Sequence, residues 1–204
     1  MADKKSDFFT IPNMISIARI VMIPFIAWTF LTGHEIAALV LVALSGISDK
    51  LDGTIARKFN QVSEIGKMLD PLADKLTQVT LALVMFLRFI KSDNELMRFT
   101  GWVFLGFIGK EVLMLLFALV MLIMGKRPAA AEIWGKLATV VFYVVMGLLL
   151  LAGPDVGILG KYFEKAVLPP VVVMVLVVLN LILMIVAFLS YIPDTYRKVV
   201  KGEK

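Results

Sequence analysis

Residues 170–189 read PVVVMVLVVLNLILMIVAFL, twenty positions without one charged side chain. A helix of that length rises about 30 Å, the thickness of a bilayer's hydrocarbon core. Working outward, comparable apolar runs lie at 13–32, 36–58, 67–90, 99–124 and 131–152, with the last run extending over 166–191. The fold class read from this pattern is all-α: an integral membrane bundle of six transmembrane helices, with a short N-terminal interfacial segment in the charged MADKKSDFF. In lipid every backbone N–H and C=O must be satisfied within its own segment, which leaves helices as the means of crossing. The breaks between runs fit this reading: Thr32-Gly33-His34-Glu35 as a tight turn, Lys91 to Arg98 as a charged loop, Gly125-Lys126-Arg127-Pro128 as a breaker and Gly153-Pro154 as the start of a loop.

Composition agrees. The chain of 204 residues is 60% hydrophobic and 18% charged, against roughly 45–50% and about 25% in soluble domains. No length is left for a separate soluble domain, and the reading is one membrane domain over residues 1–204. The first apolar run lacks a small-residue cleavage site, so it is read as a span and not as a signal peptide. Cysteine is absent, which removes disulfides, thiolate ligands and a thiol nucleophile. A net charge of +5 suggests nucleic acid less than a membrane surface, because Lys and Arg accumulate on cytoplasmic loops. Placing both termini and the 57–67 and 125–136 connections inside leaves only Arg88, Lys91, Arg98, Lys161 and Lys165 of the 21 basic residues outside. Twelve methionines and fourteen phenylalanines are read as packing or lipid-facing residues, His34 as an exterior loop residue, Asn180 as an interhelical hydrogen bond, and Trp28, Trp102 and Trp134 as interfacial anchors.

One region breaks the apolar rule. Asp49 and Asp52 stand in SDKLDGTIAR (48–57), and Asp70 and Asp74 stand in GKMLDPLADK (66–75). A carboxylate at a membrane-helix centre costs about 2.5–3.5 kcal/mol on insertion scales, so four of them require compensation. At 100° per residue Asp49, Asp52, Gly53 and Ala56 share one face with Arg57 at its edge, and Gly66, Asp70 and Asp74 follow at one-turn intervals. Should the two helices meet, four carboxylates converge beside residues with almost no side chain. Oxygen-only ligands select hard cations such as Mg²⁺ or Mn²⁺, and the small residues leave room for a bulky ligand. The plainer reading pairs the aspartates with Lys50, Arg57, Lys67 and Lys75 on a solvated face, which explains neither the glycines nor the greasy surroundings. A third reading, a transport protein binding a translocated cation, has no need of the Gly53–Ala56–Arg57 spacing.

The pattern D-x2-D-G-x2-A-R-x8-G-x3-D-x3-D from Asp49 to Asp74 resembles the signature of the CDP-alcohol phosphotransferases at all eight fixed positions. Ile11-Pro12-Asn13-Met14-Ile15-Ser16-Ile17-Ala18-Arg19 is similar to the N-x2-[ST]-x2-R opening of the bacterial phosphatidylglycerophosphate synthases within that family. The resemblance implies an integral membrane enzyme of phospholipid biosynthesis that moves a phosphatidyl group from CDP-diacylglycerol to an alcohol and releases CMP. It implies two Mg²⁺ or Mn²⁺ ions on Asp49, Asp52, Asp70 and Asp74, with Asp74 also the general base. It implies a CDP site of Asn13, Ser16, Asp52, Gly53, Ala56, Arg57 and Gly66.

Glycerol 3-phosphate is the acceptor implied, its phosphate met by Arg19, Lys110, Arg127 and Lys136; phosphatidylglycerol and an inositol phosphate are the alternatives. The synthases typically carry Arg-Glu and Gly-Lys-x-Lys-Thr where this chain has Lys110-Glu111 and Gly135-Lys136-Leu137-Ala138-Thr139. Lys brings a point charge in place of a bidentate fork, and Ala138 removes a cation. The resemblance further implies a homodimer in the plasma membrane, both termini cytoplasmic and the active site towards the cytoplasmic side.

Overall fold

A computed structural model describes residues 10–58, 66–124 and 133–200, with the side chains at 49–57, 67, 68 and 191–200 among those outside the description. Six α-helices follow in chain order: α1 Ile11–Leu31, α2 Glu35–Lys58, α3 Gly66–Phe89, α4 Glu95–Ile123, α5 Ile133–Ala152 and α6 Pro170–Val200. The described residues contain no strand. The six helices and the all-α class agree with the hydropathy reading.

Four of the six are long and apolar enough to cross a membrane: Ile11–Leu31, Glu95–Met121, Trp134–Ala152 and Pro170–Ser190. Among the described residues the other two helices carry less uninterrupted apolar length: α2 contributes the apolar stretch Glu35–Ser48, and α3 carries Asp70, Asp74 and Lys75 in its first half.

Local chemistry sets the helix ends. Thr10 caps α1, its hydroxyl accepting from the Asn13 N–H at 3.4 Å, and Pro12 takes a first-turn position where its missing N–H is harmless. Gly33, at φ 79°, turns the chain from α1 into α2. The reading of 91–98 as loop is too long, because Asn94 Oδ1 accepts from Leu96 N at 2.9 Å and Met97 N at 3.3 Å and so starts α4 at Glu95. Two 3₁₀ turns, Leu159–Lys161 and Glu164–Ala166, precede α6; the second ends on Ala166, the first residue that hydropathy assigned to the last span, and the helix itself starts at Pro170.

The chain divides into two compact units, Met1–Val84 and Met85–Lys204. In the first, α1 packs on α2 and its core holds Ile26, Phe30, Ala38, Ala73, Leu81 and Ala82. In the second, α6 packs on both α4 and α5 around a ladder of Phe89, Phe104, Phe107 and Phe142, whose successive ring centroids lie 5.6–5.9 Å apart. Asn180 sits in that second core, 1% exposed, and neither amide atom has a hydrogen-bond partner. Among the described residues the expected interhelical bond is therefore not formed. Trp28, Trp102 and Trp134 are all exposed, as membrane-facing indoles require, and His34 is exposed beside Thr32.

Candidate active site on the first and third helices

The polar face of α1 recurs at 13, 16 and 19: Asn13, Ser16 and Arg19 are all buried although they lie in a helix otherwise made of apolar residues. Spacing of three residues keeps them on one side of the helix. Their burial has a destination, because the Ser16 hydroxyl reaches across 54 residues of sequence and donates to Asp70 Oδ1 on α3. The same hydroxyl lies 3.1 Å from the Pro12 carbonyl, the usual back-bond of a helical serine, but it has one proton, and the carboxylate is the stronger acceptor.

Helix α3 opens on Gly66, which is buried, and then turns Asp70 and Asp74 to the same side, both partly exposed. Pro71 sits between them inside the helix, where it removes the backbone bond that residue 71 would donate one turn back. Asp74 Oδ2 accepts from Gln78 Nε2 at 3.0 Å, one turn further on. Gln78 is a residue that the sequence reading passed over. The available signal was a glutamine at i+4 from an aspartate in an apolar helix, a spacing at which helical side chains touch. Thr77 beside it is turned away, its hydroxyl donating to the Ala73 carbonyl at 2.9 Å.

This half of the site is an oxygen-only donor set, two carboxylates with a hydroxyl and an amide orienting them, and it suits a hard cation. Among the described residues no three acidic or histidine side chains converge. Asp49 and Asp52, which the sequence reading adds to this set, belong with Gly53, Ala56 and Arg57 to α2 by backbone, while their side chains lie outside the described residues.

The expected phosphate-binding cations do not form a described cluster. Arg19 is buried on the α1 face of Asn13 and Ser16. Lys110 belongs to the second unit, and Lys136 is exposed near the start of α5. Arg127 lies outside the described residues. Lys110 and Glu111, each 7% exposed, bond to one another through Nζ and Oε1. Consecutive side chains diverge by about 100° at Cβ, but both are long enough to fold back, and burial of either charge alone would be costly.

Residues 9–192 match a family profile described as CDP-alcohol phosphatidyltransferase. A CDP-diacylglycerol–glycerol-3-phosphate 3-phosphatidyltransferase of Aquifex aeolicus is 30% identical over 191 residues, 94% of this chain and 98% of that protein. A cardiolipin synthase (CMP-forming) of Streptomyces coelicolor is 33% identical over 70% of this chain and 66% of its own length. A second CDP-diacylglycerol–glycerol-3-phosphate 3-phosphatidyltransferase, from Rickettsia bellii, is 46% identical over 88 residues, 42% of this chain and 47% of that protein.

Proposed function

The chain belongs to the CDP-alcohol phosphatidyltransferase family and is an enzyme of that class, and we propose that it transfers the phosphatidyl group of CDP-diacylglycerol to glycerol 3-phosphate, giving phosphatidylglycerophosphate and CMP. The observation that carries the choice of acceptor is the 30% identity running over 98% of a relative that bears this activity in its name.

In the proposed reaction the acceptor's hydroxyl oxygen bonds to the phosphorus that carries diacylglycerol. The bond from that phosphorus to the CMP oxygen breaks, CMP leaves with the electron pair, and the hydroxyl proton passes to Asp74. Two divalent ions, held by Asp49, Asp52, Asp70 and Asp74, would neutralise the diphosphate and lower the pKa of the incoming hydroxyl. Ser16 holds Asp70 in one orientation through its hydrogen bond. Gly66, buried with no side chain, leaves space at the start of α3 for the nucleotide, alongside Asn13, Gly53, Ala56 and Arg57. Arg19, Lys110, Arg127 and Lys136 are the cations proposed for the acceptor's phosphate.

Phosphatidylglycerol is the second reading, and Lys110 favours it. Its ammonium is already engaged by Glu111, which suits a phosphodiester with one negative charge better than a monoester with nearly two. Both readings place the enzyme in the plasma membrane as a homodimer with cytoplasmic termini, the basic connections lying on the same side as the water-soluble substrate.

Purified protein incubated with CDP-diacylglycerol, Mg²⁺ or Mn²⁺ and a panel of acceptors is expected to release CMP fastest with glycerol 3-phosphate. Release with phosphatidylglycerol alone would transfer the assignment to cardiolipin formation, and no release with any acceptor would end the enzymatic reading. In the same assay Ser16→Ala is expected to lower turnover about tenfold, since a hydrogen bond to a charged group is worth roughly 1.5–3 kcal/mol. Unchanged turnover would show that Asp70 needs no orientation from α1.

A further inference from the structure

The functional face of α3 continues past the end of the family signature. Gln78, one turn beyond Asp74, is 1% exposed. Its Nε2 donates to Asp74 Oδ2 at 3.0 Å, and its Oε1 is buried with no hydrogen-bond partner. A buried carbonyl oxygen left unbonded costs folding free energy, and a methionine of nearly the same length would fill the space without that cost. Stability is therefore not what the amide supplies.

What it supplies is direction. A carboxylate on an exposed helix turn rotates about two side-chain bonds, and a donor fixed on one oxygen removes that freedom. Donor and acceptor lie on the same rigid helix, so the geometry of this bond is set within α3.

We propose that Gln78 is a positioning residue for phosphatidyl transfer: by its bond to Oδ2 it holds the Asp74 carboxylate in the orientation in which it meets the acceptor's hydroxyl. This rests on the reading of Asp74 as the base and deepens it. Holding a reacting group in register is worth rate because misorientation by a fraction of an ångström is paid at the transition state.

The test compares the purified full-length wild type with Gln78→Met and Gln78→Glu, measuring CMP release, KM for CDP-diacylglycerol and melting temperature in detergent. In Gln78→Met kcat is expected to fall about tenfold, with KM within about twofold and the melting temperature unchanged or raised. Gln78→Glu keeps the shape but faces one carboxylate with another, and kcat is expected to fall further. Wild-type kcat in Gln78→Met overturns the proposal, as does a loss that tracks a lowered melting temperature. If Gln78→Met does not fold, Gln78→Glu decides, and kcat above about one third of wild type overturns the proposal. Absence of CMP release by the wild type with every acceptor overturns the underlying reading too, whereas wild-type release with an indifferent Gln78→Met overturns this proposal alone.

Discussion

Replacing Asp74 by Asn is expected to cut CMP release about a thousandfold, within the 10²–10⁴ that a positioned general base contributes. Asparagine keeps the shape of the side chain, and its Oδ1 can still accept from Gln78 Nε2, so α3 is expected to stay intact. What disappears is the group that takes the proton in the proposed reaction. KM for CDP-diacylglycerol is therefore expected to change much less than kcat, since the lost interaction is one made in the transition state. CDP-diacylglycerol saturation curves for the two proteins, measured in the same detergent with glycerol 3-phosphate in excess, read both quantities. Turnover within tenfold of wild type would remove Asp74 as the base and leave it a carboxylate of the binding site.

The largest stability effect is expected at Glu111. Glu111→Leu would take from Lys110 the carboxylate it now bonds, in a helix long and apolar enough to cross a membrane. Breaking a buried ion pair from one side costs about 3–5 kcal/mol, because the surviving charge remains in a poor solvent. Replacing both partners removes that problem, so Lys110→Met with Glu111→Leu is expected to recover most of the loss, the pair itself being worth little against a hydrophobic isostere. Thermal unfolding in detergent of both single variants and the double variant forms the cycle. If Glu111→Leu unfolds like the wild type, the pair does not act as a buried one. If the double variant is stable but inactive with glycerol 3-phosphate, Lys110 gains support as a phosphate ligand.

The acidic half-motif was legible from sequence because Asp70 and Asp74 are four residues apart, and in a helix that spacing alone puts them together. The same rule reached Gln78, but a glutamine in an apolar helix carries no signal of its own until its partner is seen. The Lys110–Glu111 pair is hard to read from sequence for the opposite reason. Adjacent residues point apart at Cβ, and only the folding back of two long side chains under the pressure of burial brings their ends together. Asn180 was assigned a bond because polar residues in lipid usually find one; which residues face it depends on how α6 meets α4 and α5.

The helical class, the six helices and the turn-by-turn order of the aspartates are local properties, set by hydropathy and by a repeat of 3.6 residues, and the amino-acid sequence determines them without help. The bond from Ser16 to Asp70 joins residues 54 positions apart, and no periodicity encodes it. It exists because α1 and α3 bring two polar faces together where an isolated carboxylate would be expensive. Contacts of that kind depend on rotamer and helix register, which only the packed structure decides.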